Sequence, residues 1–182
     1  MNFKAHLNLP DVITINPKLI EDSRGYFLES FRLKEFTENC GDYNFVQENE
    51  SFSRKGTIRG LHYQLIKPQG KLVKVNEGAI FDVAVDIRKN SKNFGNWSSE
   101  VLSYDNHKQL WIPPGFAHGF LVLSDIARVS YKCTDYYFPQ GDRSIIWSDK
   151  DINISWPDIG MKYIISEKDS KAKLLSESET SE

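Results

Sequence analysis

The sequence predicts an all-β domain, a sandwich or barrel of many short strands. Three observations carry that expectation. Short apolar–polar alternations recur along the chain. They are clearest over 80–87, where Phe81, Val83, Val85 and Ile87 share one face and Ile80, Asp82, Ala84 and Asp86 share the other. Turn residues separate these runs, at Asp22 to Gly25, Gly56, Gly78, Asn93 to Asn96, Pro113-Pro114-Gly115 and Pro139-Gln140-Gly141. A single stretch, 32–40, is a good helix candidate, with Leu33 and Phe36 three apart.

Each element follows in order. PDVITI at 10–15 reads as a strand. YFLESF at 26–31 alternates weakly after the Asp22–Gly25 turn. The helix at 32–40 is closed by Gly41, a good C-cap because glycine accepts left-handed backbone angles. FVQENESFS at 45–53 is polar but strand-like. Residues 71–75 and 79–88 read as a hairpin about a loop ending in Gly78. WSSEVLS at 97–103 is a strand, and 109–112 and 118–124 are short strands flanking Pro113-Pro114-Gly115. ARVSYKCTDYY at 127–137 reads as one long strand, which would put Tyr131, Cys133, Asp135 and Tyr137 on one face. The stretch from Ser176, SESETSE, is polar and without periodicity, and is expected to fray.

Composition bounds the function. A chain of 182 residues favours one domain with a core of its own, and 40% hydrophobic and 13% aromatic content marks it as globular. The net charge of −2 gives no general attraction to nucleic acid or acidic membrane, so an anionic ligand must be held by local cations. The two cysteines, Cys40 and Cys133, form no C-x-x-C, which leaves zinc-ribbon and thioredoxin readings without support. The N-terminus lacks a signal-peptide pattern, and no apolar run approaches the ~20 residues of a membrane span. A reduced cytoplasmic setting is therefore expected, in which the sequons at Asn49, Asn96 and Asn153 carry no meaning.

Two stretches carry the chemistry. GTIRGLHYQLIKPQGKLVK at 56–74 sets Arg59, His62, Gln64 and Lys71 among glycines and β-formers. WIPPGFAHGFLVLSD at 111–125 adds His118. Pro113-x-Gly115-x-x-His118 resembles the second motif of the cupins, jelly rolls built as a double-stranded β-helix. Metal-binding cupins carry H-x-H in the first motif, where this chain reads His62-Tyr63-Gln64. A neutral amide is a poor transition-metal ligand, and two histidines fall short of the three protein ligands usual at catalytic zinc. The expectation is a cupin-like cavity without a metal.

A closer resemblance covers about Arg24 to Asp169. GTIRGLHYQ, PQGKLVKV, IFDVAVDIR, IPPGFAHGF, the Tyr131–Tyr137 strand and DRSIIW, in that order and spacing, resemble the dTDP-4-dehydrorhamnose 3,5-epimerase family. The resemblance implies a cofactor-free isomerase that inverts C3 and C5 of dTDP-4-dehydro-6-deoxy-D-glucose. In it His62 matches the base, oriented by Asp169. Tyr131 matches the acid on the opposite face of the sugar, and Lys71 the enolate-stabilising cation. Arg59 and His118 match further substrate contacts. Arg24, Glu29, Gln47, Asn49 and Lys168 also fall on binding positions, and Tyr137 on the aromatic that stacks on thymine. Asp142 stands where relatives commonly carry glutamate, one methylene longer. A homodimer is implied, with residues 1–50 contributing to it and Arg24 and Glu29 serving the neighbour's site. The barrel core is expected over 51–147, a C-terminal segment over 148–175 and the tail over 176–182.

The chemistry agrees with this pattern. Carbons 3 and 5 of a 4-keto sugar flank the carbonyl, so their protons are acidified. Inversion needs a base on one face, an acid on the other, and a cation or donor at the ketone oxygen. Histidine suits the base because its pKa lies near neutrality. Each residue also has a plainer reading: Tyr131 and Tyr137 as core aromatics, Lys71 as an edge-strand charge, Arg24 as a turn residue, His62 as a structural histidine. His6 and His107 have no motif around them and read as surface residues. Arg59 and His62, three apart, point to opposite faces of a regular strand, so a shared cavity demands a bulge near Gly60. The alternatives are an epimerase acting at C3 or C5 only, a metal-dependent cupin enzyme, and a non-catalytic nucleotide-sugar binding module.

Overall fold

The computed structural model describes residues 1–180. Its elements run β1 (Asn2–Ala5), β2 (Ile13–Asn16), β3 (Leu19–Asp22), β4 (Gly25–Leu28), α1 (Leu33–Cys40), β5 (Gln47–Arg54), β6 (Thr57–Gln64) and β7 (Lys71–Glu77). They continue through β8 (Ala79–Asp86), β9 (Trp97–Ser103), β10 (Gln109–Ile112), β11 (Phe116–Val122), β12 (Ile126–Cys133), β13 (Asp142–Ser144), β14 (Ile164–Ile165) and α2 (Glu167–Ser170). Two six-stranded sheets form the body, the first with the order β1-β2-β10-β7-β12-β5. The second runs β13-β6-β11-β8-β9, with β14 also on β6, and β3 and β4 pair apart as a hairpin. The two sheets face each other as an open cupin-like jelly roll, the all-β fold expected, and neither closes into a barrel.

Alternation explains the layers. Val73 and Val75 of β7, Ile80 and Ala84 of β8, Phe120 and Val122 of β11 and Val129 of β12 meet in one apolar cluster between the sheets, with Tyr131 at its edge. The other face of the second sheet, with Leu61, Val83, Val85 and Ala117, is covered by Ile152, Trp156 and Leu175 of the C-terminal segment. Phe36 of α1 covers Ile15, Leu72 and Trp111 on the outside of the first sheet, packed edge-on to Trp111 at 5.0 Å. Leu33, its expected companion, is exposed. Gly41, at φ 104°, returns its N–H to the Thr37 carbonyl at 3.2 Å and ends the helix as its sequence suggests.

Several expectations change. β7 and β8 do not form a hairpin: β7 pairs with β10 and β12, while β8 pairs with β9 and β11. The chain crosses between sheets at Gly78, where a Cβ would lie 2.0 Å from the Ile126 carbonyl oxygen. A short loop after alternating residues is common to a hairpin and to a sheet switch, so alternation alone did not separate them. The strand expected over 127–137 ends at Cys133, so strand parity does not place Asp135 and Tyr137. The core is wider than 51–147, because β1, β2, β5 and β14 all join the two sheets. The expected fraying is absent through Thr180. The Tyr63 hydroxyl donates to the Glu179 carbonyl, Arg143 pairs with Glu179 at 2.9 Å, and Thr180 is buried. Residues 181–182 of that tail lie outside the described residues. His6 is not a free surface residue, since its ring meets Ser98 on one nitrogen and Thr14 on the other.

Candidate functional site

At one end the space between the sheets turns from apolar to polar. There a cavity of about 460 Å³ is lined by residues of both sheets. Arg59 and His62 come from β6, and Asp142 from β13. Lys71, Tyr131, Gln47 and Asn49 come from β7, β12 and β5 of the facing sheet.

Arg59 and His62 share this cavity because β6 bulges. His62 pairs with His118 and Arg59 with Phe120, so three steps on β6 oppose two on β11. Gly60 at φ 114° makes the bend, and the Gly60–Leu61 peptide is cis. Gly60 and Gly119 face one another so closely that a Cβ on Gly60 would sit 2.6 Å from the Gly119 Cα. A side chain at either position would force the strands apart.

His62 is bound through Nε2 to Asp169 Oδ1 at 2.7 Å. Asp169 is buried, and its second oxygen accepts the Gly60 amide at 3.2 Å. Burial alone would raise the Asp169 pKa. Hydrogen bonding and charge from His62, then the Gly60 amide and Ser166, hold it below the usual carboxylate range instead. With Nε2–H committed to Asp169, the Nδ1 lone pair is left as a base. Asp169 is placed by α2, a single turn that no alternation pattern announces. Its signal is Ser166-x-x-Asp169: Ser166 is the N-cap, and its hydroxyl accepts the Asp169 amide at 3.1 Å.

On the facing wall, burial pushes the Tyr131 phenol up, with Cys133 adding to this and Arg59 opposing it. Lys71 is nearly buried, and desolvation lowers its pKa against the attraction of Cys133, Asp82 and Asp142. Arg59 is anchored by Nε on the Ser53 hydroxyl at 2.9 Å and Nη2 on the Phe52 carbonyl at 3.2 Å. Gln47 accepts the Tyr137 amide at 2.8 Å and donates to Asn49 at 3.1 Å. Asp142 accepts a bond from Lys168 Nζ and, at 3.4 Å, from the Tyr137 hydroxyl. The shorter carboxylate thus ties Lys168 and Tyr137 together at the rim.

The remaining expected residues lie elsewhere. His118 is buried beneath the cavity, its Nε2 on Asp82 Oδ1 at 2.6 Å, and does not line it. Arg24 forks onto Asp22 and Glu29 binds Arg32, both exposed around the β3–β4 hairpin. Gln64 spends its amide on the Lys67 and Tyr136 carbonyls and the Phe138 amide, at 2.7, 3.2 and 2.7 Å. It holds the two loops at the cavity edge. Among the described residues no group of three or more His, Cys, Asp or Glu side chains converges as a metal site. Sequence reasoning gave no role to Asp82, whose signal was an aspartate inside the most apolar alternating strand.

The fold is a cupin-like jelly roll whose cavity sets the Asp169-bound His62 on one wall and Tyr131 and Lys71 on the other. Comparison with known proteins narrows this. Residues 6–177 match the family model described as dTDP-4-dehydrorhamnose 3,5-epimerase. The epimerase of Methanothermobacter thermautotrophicus is 52% identical over 93% of this chain and 92% of its own. That of Neisseria gonorrhoeae is 51% identical over 95% of this chain, which spans about half (52%) of that longer relative. The crystal structure of the Legionella pneumophila dTDP-6-deoxy-D-glucose-3,5-epimerase, in complex with dTDP-4-keto-L-rhamnose, superposes with a TM-score of 0.92. It is 49% identical and covers 96% of this chain and 93% of that one. The chain belongs to the dTDP-4-dehydrorhamnose 3,5-epimerase family, and is an isomerase.

Proposed function

We propose that this chain converts dTDP-4-dehydro-6-deoxy-D-glucose to dTDP-4-dehydro-L-rhamnose, inverting C3 and C5 through enolates. The observation that carries the reading is His62 on one sheet, bound by Asp169 of α2, facing Tyr131 and Lys71 on the other sheet. His62 removes the proton next to the ketone. Asp169 fixes its tautomer and steadies the imidazolium that forms. The ketone oxygen, gaining charge, is met by the Lys71 ammonium in a site poor in water. Tyr131 delivers a proton to the opposite face, and repetition at the second carbon completes the double inversion. Arg59 and Lys168 supply local positive charge for the diphosphate, which the net charge of the chain does not. Tyr137 stacks on the thymine, with Gln47 and Asn49 beside it.

No cofactor is needed, since the ketone itself acidifies both carbons. The proposal is also metal-free, because Gln64, the neutral amide that stands where metal-binding cupins carry a second histidine, is committed to backbone partners. Arg24 and Glu29 are assigned to the neighbouring site of a homodimer, consistent with a hairpin that pairs only with itself and exposes Ile20 and Phe27. No helix among the described residues is long and apolar enough to cross a membrane. Cys40 and Cys133 are both free thiols, which supports a cytoplasmic setting.

The test is incubation with dTDP-4-dehydro-6-deoxyglucose in heavy water, read by NMR after exhaustive chelation. Deuterium at both carbons with both centres inverted is expected. Exchange at one carbon alone would make it a single-centre epimerase. Binding of dTDP without exchange would make it a binding module, and activity restored only by added metal would end the metal-free reading.

A further inference from the structure

Beneath the cavity, three ionisable side chains separate it from the apolar core. Lys71 shares its face of β7 with Val73 and Val75, Asp82 its face of β8 with Ile80 and Ala84, and His118 its face of β11 with Phe120 and Val122. They are 9%, 0% and 6% exposed, and only Lys71 lines the cavity. Asp82 gives one oxygen to His118, while its other oxygen is buried with no partner among the described residues. A buried carboxylate oxygen left bare is costly unless a cation stands near.

The choice of cation is narrow. Of the two carboxylates that act on the Lys71 charge, Asp142 already accepts from Lys168 and Tyr137. Among the described residues Asp82 meets no lysine or arginine, its partner being the His118 ring, and Lys71 closes no salt bridge. The free oxygen of Asp82 and the Lys71 ammonium are left to each other. We infer that Asp82 is a positioning residue that keeps Lys71 in its ammonium form beneath the ketone, with His118 clamping the carboxylate in place. Because the two do not touch, the Lys71 donors stay free for the developing enolate oxygen. The groups acting on Lys71 are Cys133 from β12, Asp82 from β8 and Asp142 from β13, and Arg59 and His62 from β6 and Tyr131 from β12 line the same cavity. Burial works against the ammonium, Asp82, Cys133 and Asp142 work for it, and loss of the Asp82 charge lets burial win further.

The task given to Lys71 rests on the proposed epimerase reading, but the charge coupling does not, so both are measured. The Lys71 amine is followed by ¹⁵N NMR in the free enzyme, alongside the pH profile of kcat/KM. In Asp82→Asn, Lys71 should lose its proton at lower pH than in wild type, and the alkaline limb should move down with it. At neutral pH kcat should fall about tenfold with KM little changed, a fraction of the ~10²–10³ lost with a whole oxyanion donor. On a Lys71→Met background the same change should cost almost nothing further. Asp82→Ser, smaller and equally uncharged, repeats the measurement in a variant that crowds nothing, and Lys71 should again lose its proton at lower pH than in wild type. An unmoved Lys71 titration in folded Asp82→Asn or Asp82→Ser overturns the inference. Moved titrations in a protein that proves not to epimerise would sustain the coupling and overturn only the functional reading.

Discussion

Two histidine–aspartate pairs sit side by side in this fold, and their contrast explains the site. His62 and His118 are directly opposed on neighbouring strands, and each meets its carboxylate through Nε2, at 2.7 and 2.6 Å. The His62 side chain is 34% exposed and lines the cavity; that of His118 is 7% exposed and does not. Asp169 has both oxygens satisfied, by the ring and by the Gly60 amide, whereas Asp82 leaves one bare. Equal distances therefore carry unequal consequences. A satisfied carboxylate beside an accessible ring orients a base. An unsatisfied one beside a buried ring projects charge to whatever cation is near. Hydrogen-bond length says little about role, while exposure and the second oxygen say much.

The largest expected difference comes from removing each ring in turn. His62→Ala takes away the proposed base, so both solvent exchange and inversion should fall by roughly the 10²–10⁴-fold of general-base catalysis. His118→Ala leaves the base in place, so exchange should continue at a measurable rate, reduced only through Lys71. Side-by-side NMR in heavy water ranks the two, and equal losses would erase the distinction between the pairs.

Next in size is the wall that faces His62. Tyr131→Phe leaves His62, Asp169 and Lys71 to form the enolate, which then regains its proton only from the side it left. The variant should take up deuterium while largely keeping the starting configuration, with inversion down by roughly 10²–10⁴-fold. Brisk inversion would remove Tyr131 from the acid role.

A smaller effect separates binding from both pairs. Tyr137 is 55% exposed at the rim, held by Gln47 and Asp142 rather than by either histidine. Base–aromatic stacking is worth ~1–3 kcal/mol. Tyr137→Ala should therefore weaken dTDP by about tenfold, since ~1.4 kcal/mol is tenfold. Calorimetry in a folded variant that finds unchanged affinity would place the base elsewhere.

How much of this was legible in the sequence depended on whether a residue's task is local. Alternation in 80–87 separated the two faces of β8 correctly, because period-two geometry is a property of one strand. It did not reveal that the face carrying Asp82 looks into the space between the sheets, since both faces are buried. The demand for a bulge near Gly60 followed from counting Arg59 to His62, and the structure has it. The hairpin at 71–88 failed because sheet membership is decided by partners distant in sequence. Asp169 was reached only through the family resemblance. Its own turn is four residues long, too short for periodicity, although Ser166-x-x-Asp169 was there to be read as a cap.

The smallest effect tests whether Asp169 orients by charge. Its carboxyl is held below the usual range in the folded protein, against the opposing effect of burial, chiefly by His62. In the unfolded chain it titrates near the ordinary ~3.9. The unfolded state therefore binds the proton first as pH falls, and the stability tied to the charged form drains away through that range. Asp169→Asn cannot lose what it does not hold. At pH 6–8 it should melt below wild type by about 2–4 °C, the shift expected for ~1 kcal/mol in a domain of this size. The gap should close as the pH falls below about 4, because wild type then surrenders the same contribution. Thermal melts from pH 7 to 3 read it directly. A gap that stays constant over that range would mean that Asp169 acts through shape alone, and would leave the accessible pair without the electrostatic partner that sets it apart from the buried one.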